Sequence, residues 1–316
     1  MRIILLGLIG FDFMNKRLIS ILAVVLFVTL SISTVAAETY FVYDGFKYTV
    51  EKEKCTIVEY VGEDTNVIIP SYILGNEVRY IGIAAFQNQS DITSVSLPSN
   101  IRSIYISGFE NCSSLNSIII PQNCNTIGNA AFRGCSSLTS VEIKSSLTVL
   151  SNSTFDGCSS LQSVTLPDSL TEINKKAFTN CTSLDTVKIP TNCTKLGDYS
   201  FSGCSSLTKV YIPNTVTTIS STAFDGCSNL TIYCLPGSYA ASYAEENDID
   251  CVTLGDVNGD GKVNIRDVTY IQLYRVGSCD LDDKALLRGD ADLSGEVTIR
   301  DATTIQLYLV GKTSII

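Results

Sequence analysis

Two stretches near the C-terminal end hold the residues best suited to chemistry. In GDVNGDGKVNIRD, Asp256, Asn258, Asp260, Lys262, Asn264 and Asp267 stand at positions 1, 3, 5, 7, 9 and 12 of a loop whose sixth residue is Gly261. In GDADLSGEVTIRD, Asp290, Asp292, Ser294, Glu296, Thr298 and Asp301 take the same positions, with Gly295 at the sixth. Oxygens at this spacing suit a divalent cation: side chains at 1, 3 and 5, a backbone carbonyl at 7, often a water at 9, and a carboxylate at 12, with glycine permitting the sharp turn. Hard oxygen ligands in so flexible a loop favour Ca2+ over Mg2+, which demands a rigid octahedron and keeps several waters. Two Ca2+ ions are therefore expected. Ser294 is a weaker ligand than Asp260, so the second loop should hold its ion less tightly. A single such loop can be an ordinary Asp- and Gly-rich turn, but two in tandem, each followed by an amphipathic stretch, argue against that reading.

Composition removes several other chemistries. The chain has no histidine, which excludes Ser-His-Asp and Cys-His nucleophile activation and every His-ligated zinc or haem site. The formal net charge of −10 is the wrong sign for contacting nucleic-acid phosphates. Paired carboxylates can hydrolyse glycosides when held ~5 to 10 Å apart in a cleft, but Glu142, Asp156, Glu172 and Asp185 are scattered through the chain. No catalytic residues and no organic cofactor are expected; a glycoside hydrolase is the weakest alternative.

The elements that position the loops begin with a repeat. Phe86, Phe109, Phe132, Phe155, Phe178, Phe201 and Phe224 recur every 23 residues, in units such as CNTIGNAAFRGCSSLTSVEIKSS. The L-x-x-V-x-I part alternates like a half-buried strand, and I-G-x-x-A-F has the tighter spacing of a helical or 3₁₀ turn. One unit cannot bury its own apolar side, whereas stacked units can, which defines a solenoid. Cys112, Cys135, Cys158, Cys181, Cys204 and Cys227 fill one repeat position. Parallel side chains on coils ~4.8 Å apart do not offer disulfide geometry, so these are expected to be reduced and structural. Cys124 and Cys193, in register with Ile101, Leu147, Leu170 and Val216, are expected to be small buried hydrophobes. Cys234, Cys251 and Cys279 lie outside the columns, and a Cys234–Cys251 bridge stays open.

This pattern resembles the bacterial BspA-like leucine-rich repeats, whose AF-x-x-C-s-s-L-t-s-V-x-I-P core is seen here as AFRGCSSLTSVEI and SFSGCSSLTKVYIP. The resemblance covers residues 78–238, in seven repeats. It implies a strand-rich N-terminal cap over 38–77 and a closing helical turn in GSYAASYAEENDID. Caps are needed because an open solenoid end exposes core and unpaired strand edges. Strand alternation points Ser94, Ser96, Ser117, Ile119, Ser140, Glu142, Ser163, Thr165, Thr186, Lys188, Lys209, Tyr211 and Ile232 outward. With Tyr211 as its one ring suited to stacking on sugars, this face favours protein recognition; the alternatives are a carbohydrate-binding or adhesin module, or a plain spacer.

The tandem loops depart from an ordinary EF-hand: position 12 is Asp rather than Glu, and DIDCVTLG before loop one reads as strand and turn instead of an incoming helix. Loop followed by exiting helix, duplicated over residues 255–311, resembles the type I dockerin. That resemblance implies docking onto a cohesin module of a scaffoldin within a cellulosome-like extracellular complex. On the exiting helices Val268, Ile271 and Tyr274, and likewise Ala302, Ile305 and Tyr308, form a stripe expected to be core. Ile265, Arg266 and Leu273 lie on another face, repeated by Ile299, Arg300 and Leu307; these are the expected cohesin contacts.

The N-terminal part reads as export machinery. MNKRLISILAVVLFVTLSISTVAA has a basic start at Lys16 and Arg17, an apolar run, and Val35 and Ala37 at −3 and −1 of a cleavage site. Residues 1–37 are expected to be a signal peptide with the true start at Met14; an uncleaved anchor is the alternative. No later segment is apolar enough to span a bilayer. The expected organisation is thus a signal peptide (1–37), a cap (38–77), a solenoid of α/β type with a parallel sheet and its closing cap (78–254), and a small all-α calcium-binding dockerin (255–316), in a secreted chain.

Overall fold

The computed structural model describes residues 40–316, so the expected signal peptide and the start at Met14 lie outside the described residues. The chain first forms two hairpins: β1 (Phe41–Tyr43), β2 (Phe46–Glu51) and β3 (Lys54–Tyr60) pair antiparallel. Their two-residue turns are Asp44-Gly45 and Lys52-Glu53, each with both residues at positive φ. That is the turn whose twist matches paired strands. β3 then pairs in parallel with Asn76–Ile81, which converts the antiparallel cap into the parallel stack.

Each coil that follows carries two short strands. One series runs through Ser94–Ser96, Ser117–Ile120, Ser140–Ile143, Ser163–Thr165, Thr186–Lys188 and Lys209–Tyr211, and the other through Ser103–Ile104, Thr126–Ile127, Val149–Leu150, Glu172–Ile173, Lys195–Leu196 and Thr218–Ile219. Where strands of a series pair, they do so in parallel and in repeat register, as in Val141 opposite both Ile118 and Val164; the ladders break after Ser94–Ser96 and Ser163–Thr165 in the first series and after Thr126–Ile127 in the second. Alternation along Ser140–Ile143 buries Val141 and Ile143 and exposes Ser140 and Glu142, as a half-buried strand must.

The Phe column is the axis of the core. From Phe86 to Phe224 successive rings stack with centroids 4.8 to 5.5 Å apart and planes within 19° of parallel. Tyr60 of the cap continues the stack at one end, and Tyr243 closes it edge-on at the other. The column cysteines are reduced and, apart from half-buried Cys227, fully buried. Each thiol donates to the carbonyl of the Phe one coil earlier, as Cys135 Sγ does to Phe109 O at 3.1 Å and Cys158 Sγ to Phe132 O at 3.2 Å. Burial pushes the thiols of Cys112, Cys135, Cys158, Cys181 and Cys227 up, Cys112 to about 12, so these stay protonated donors. Cys124 and Cys193 are buried hydrophobes, as their column implied.

Two expectations change. The I-G-x-x-A-F segment is neither helix nor 3₁₀ but a run of tight turns. Ala130, Ser153 and Lys176, two residues before their Phe, have positive φ, and so do Gly134 and Gly157 two residues after. Left-handed residues so placed break any helix. The freed N–H groups bond instead to the next coil: Ala130 to Asn152 O, Phe132 to Thr154 O and Gly134 to Asp156 O. Where this column lacks Gly it has Asn88, Asn111 or Asn180, the side chain that best tolerates that conformation. The second correction concerns Ile232, expected to point outward. The final coil is one residue short, so Thr231–Cys234 pairs as Lys209 with Thr231, Val210 with Ile232 and Tyr211 with Tyr233. Ile232 is therefore buried with Val210, and Tyr233 takes the outer face beside Tyr211, ring centroids 4.8 Å apart.

Helix α1 (Tyr239–Glu246), capped by Ser238, and the strand Asp250–Thr253 close the stack. Three helices follow: α2 (Ile265–Arg275), α3 (Asp283–Gly289) and α4 (Ile299–Leu309). Their core of Leu254, Val257, Val268, Ile271, Ala285, Val297, Ala302 and Ile305 also takes in Tyr233 and Leu235 of the last coil and Ile315 and Ile316. Among the described residues no helix is long and apolar enough to cross a membrane.

Phe155 is wholly buried between Phe132 and Phe178. Phe155→Ala should therefore lower the unfolding free energy of the chain by ~3 to 5 kcal/mol, measured by guanidinium denaturation. An unchanged midpoint would refute the stacked column.

Candidate functional site

The two Asp-rich loops fold alike although no helix precedes the first. Loop one leaves the strand Asp250–Thr253 directly, whereas loop two leaves α3, a helix of seven residues that the sequence reading did not foresee; Asp282, its N-cap, was the available signal. In loop one the Asp256 carboxylate accepts the N–H groups of Asp260 and Gly261 at 3.0 and 2.9 Å. In loop two Asp290 accepts those of Ser294 and Gly295 at 2.8 and 2.9 Å. Asn258 and Asp292, at position 3, each accept the N–H of the position-5 residue. Gly261 and Gly295 have φ of 81° and 90°, where a side chain is strained.

Position 12 does two things at once. Asp267 accepts the N–H of Asn258 at 3.2 Å and that of Asn264 at 2.8 Å; Asp301 accepts those of Asp292 and Thr298 at 2.9 and 2.7 Å. Asn264 and Thr298, at position 9, are the N-caps of α2 and α4, and together with Asp267 and Asp301 they close capping boxes. The same side chains thus shape the loop and start the exiting helix. Of the position-7 residues, Lys262 and Glu296 are exposed at the side chain and present their carbonyls, to Asn264 Nδ2 and Ser294 Oγ respectively.

The electrostatics of these loops suit a cation. Asp267 and Asp301 are completely buried and neither has an ion-pair partner among the described residues. Burial raises the carboxyl of Asp267, opposed by the Asn264 and Asn258 N–H groups, with Asp256 and Asp260 adding repulsion. Burial raises Asp301 too, and Asp292 repels it. In loop two, oxygens of Asp290, Asp292 and Asp301 lie within 4.8 Å of one another. Arg300 Nε approaches the Asp292 carboxylate at 3.9 Å, and the converging carboxylate oxygens match the donor set of Ca2+. A residue missed in the sequence braces loop one from below: Arg288 of α3 donates to the carbonyls of Asp256 and Val257 at 2.7 and 3.1 Å.

The helix faces separate as their spacing implied. Val268, Ile271, Ala302 and Ile305 are buried, with Tyr274 and Tyr308 packed against them. Ile265 and Leu273 are 59% and 41% exposed, Ile299 and Leu307 are 56% and 42% exposed, and Arg266 and Arg300 are exposed beside them.

Comparison with known proteins bears on both parts. The profile of the BspA type leucine rich repeat region matches residues 65–181 and 126–245, with 6 copies, and that of the dockerin type I domain matches residues 254–313. Among solved structures, the T. pallidum leucine rich repeat protein is 28% identical at a TM-score of 0.58, covering 67% of this chain and 98% of that one. A leucine-rich repeat protein from Eubacterium ventriosum is 22% identical at a TM-score of 0.55, covering 61% of this chain and 51% of that one. A search of curated proteins finds no match.

An ion that binds only the folded loops stabilises them by about 2.7 kcal/mol per site at free concentrations one hundred times Kd. Calcium should therefore raise the temperature at which the helical circular dichroism signal is lost, EDTA should reverse the shift, and Asp256→Ala with Asp290→Ala should abolish it. Superimposable melts with calcium and with EDTA would count against cation loops.

Proposed function

From the premise that this chain belongs to the BspA type leucine-rich repeat family and carries a type I dockerin domain, we propose that it is a secreted, non-catalytic subunit that docks onto the cohesin of a scaffoldin. Both modules are non-catalytic, type I dockerins are calcium-binding, and dockerins belong to extracellular cellulosome-type complexes. In this reading two Ca2+ ions occupy the loops, held by Asp256, Asn258, Asp260, Lys262 O, Asn264 and Asp267, and by Asp290, Asp292, Ser294, Glu296 O, Thr298 and Asp301. Loop two holds its ion less tightly, since the Ser294 hydroxyl replaces a carboxylate.

One observation carries the docking reading: the two helix faces are equivalent and equally open. Ile265, Arg266 and Leu273 on α2 and Ile299, Arg300 and Leu307 on α4 remain exposed although the module shares its core with the last coil. Large apolar side chains beside an arginine are the composition of a binding surface rather than of a solvated one. Two equivalent faces give two docking orientations, and the tandem loops are what builds them.

The repeats are read as a protein-recognition module presenting an extended polar face. A second reading, carbohydrate binding, is favoured by one feature: a cavity of about 630 Å³ between the last coil and the helices, lined by Tyr211, Tyr233, Tyr274, Lys209 and Glu296. If sugars bind there, Tyr211→Ala should abolish retardation of the chain in polysaccharide-containing native gels; equal mobility of the wild type with and without polysaccharide would remove this reading.

If two equal orientations exist, losing one halves the association constant. Replacing Ile265 and Arg266 by alanine, or Ile299 and Arg300, should weaken cohesin binding only about twofold, and replacing all four should abolish it, by isothermal titration calorimetry. Full loss from either pair would establish a single orientation.

A further inference from the structure

Cys234 ends the strand Thr231–Cys234 of the last coil, and Cys251 lies on the neighbouring strand Asp250–Thr253, which closes the solenoid and leads straight into loop one. Counting along the pairing, Cys251 faces Ile232 and Cys234 faces Thr253, so the two cysteines are diagonal neighbours on the same face of the parallel pair. Their sulfurs are 3.0 Å apart. The column thiols donate to Phe carbonyls instead, and Cys279 donates to Tyr270 O. We propose that Cys234 and Cys251 form a disulfide that staples the closing strand, and with it the root of the calcium loops, to the last coil.

The surroundings supply what the reaction needs. Cys251 is exposed and can be reached by an oxidant, while Cys234 is fully buried and serves as the resolving thiol. The Cys234 thiol lowers the Cys251 pKa by donating to it, against the opposing effect of burial. The Cys251 thiolate attacks one sulfur of the disulfide of a thiol–disulfide oxidoreductase, whose S–S bond breaks and releases one thiolate, leaving a mixed disulfide. Cys234 then loses its proton and attacks the Cys251 sulfur, forming Cys234–Cys251 and expelling the second thiolate. The cysteine pair gives up two electrons and two protons, and the oxidant leaves as a dithiol. Closure needs the sulfurs to approach by roughly 1 Å, to the ~2.05 Å of the bond. It spans a separation of 17 residues that includes α1, so it removes freedom from the unfolded chain.

The test uses the full described chain, reduced and then incubated with oxidised glutathione, followed by denaturing alkylation and peptide mapping. The expected result is a Cys234–Cys251 linked peptide lighter by about 2 Da than the two thiols, all other cysteines alkylated, and a higher Tm for the oxidised chain. Cys251→Ser, altering an exposed side chain, should fold and lose both the link and the redox-dependent shift in Tm. Full alkylation of Cys234 and Cys251 after oxidation, pairing of either with Cys279, or identical melting in both redox states would overturn the proposal.

Discussion

Stacking of one coil on the next, at a fixed 23-residue register, is the constraint from which the rest of the structure follows. The register is held at three places in each turn: parallel backbone pairing in the two strand series, ring-on-ring contact along the Phe column, and N–H groups of the turn corner bonded to the following coil. The column thiols add a fourth tie, each reaching back to the carbonyl of the Phe one coil earlier. Because every tie joins neighbours, stability accumulates coil by coil, and each open end must be closed. At the start, the two hairpins and Tyr60 cover the first Phe. At the finish, a coil one residue short turns Tyr233 outward.

That shortened coil decides where the helical module sits. Tyr233 and Leu235 leave the solenoid core and join Leu254, Val257, Val268 and Ile305 in the second one. The module is thus seated on the solenoid rather than joined to it by a free linker, and its two loops begin at fixed structural elements: the closing strand for the first, α3 for the second. Arg288 ties these together by reaching from α3 to the carbonyls of loop one. With the inner stripes of α2 and α4 spent on this core, Ile265, Leu273, Ile299 and Leu307 are left on the outside, on the face to which the proposed docking assigns the partner.

Much of this was legible in the sequence, because strict periodicity leaves little choice. The Phe and Cys columns fixed the coil length and the buried face, and the loop positions named the residues that the structure gathers at Asp256 to Asp267 and Asp290 to Asp301. What escaped has physical reasons. The corner segment has helical spacing of apolar residues, yet its N–H groups bond to the next coil; that depends on a neighbour 23 residues away and leaves no local trace beyond Gly134 or Asn180. Ile232 was misplaced because a single missing residue reverses the facing of a strand. α3 is too short to show a period, and Arg288 acts through backbone carbonyls that no motif encodes. For Cys234 and Cys251 the sequence left bridging open, since their proximity depends on how the last strand returns.

Calcium-dependent attachment of a repeat solenoid to a cohesin is the central claim, and surface plasmon resonance with the intact chain flowed over immobilised type I cohesins tests it most directly. Saturable binding in calcium that is lost in EGTA and recovered on adding calcium back is the predicted result. Binding of equal strength in EGTA, or no binding to any type I cohesin in calcium, would contradict it.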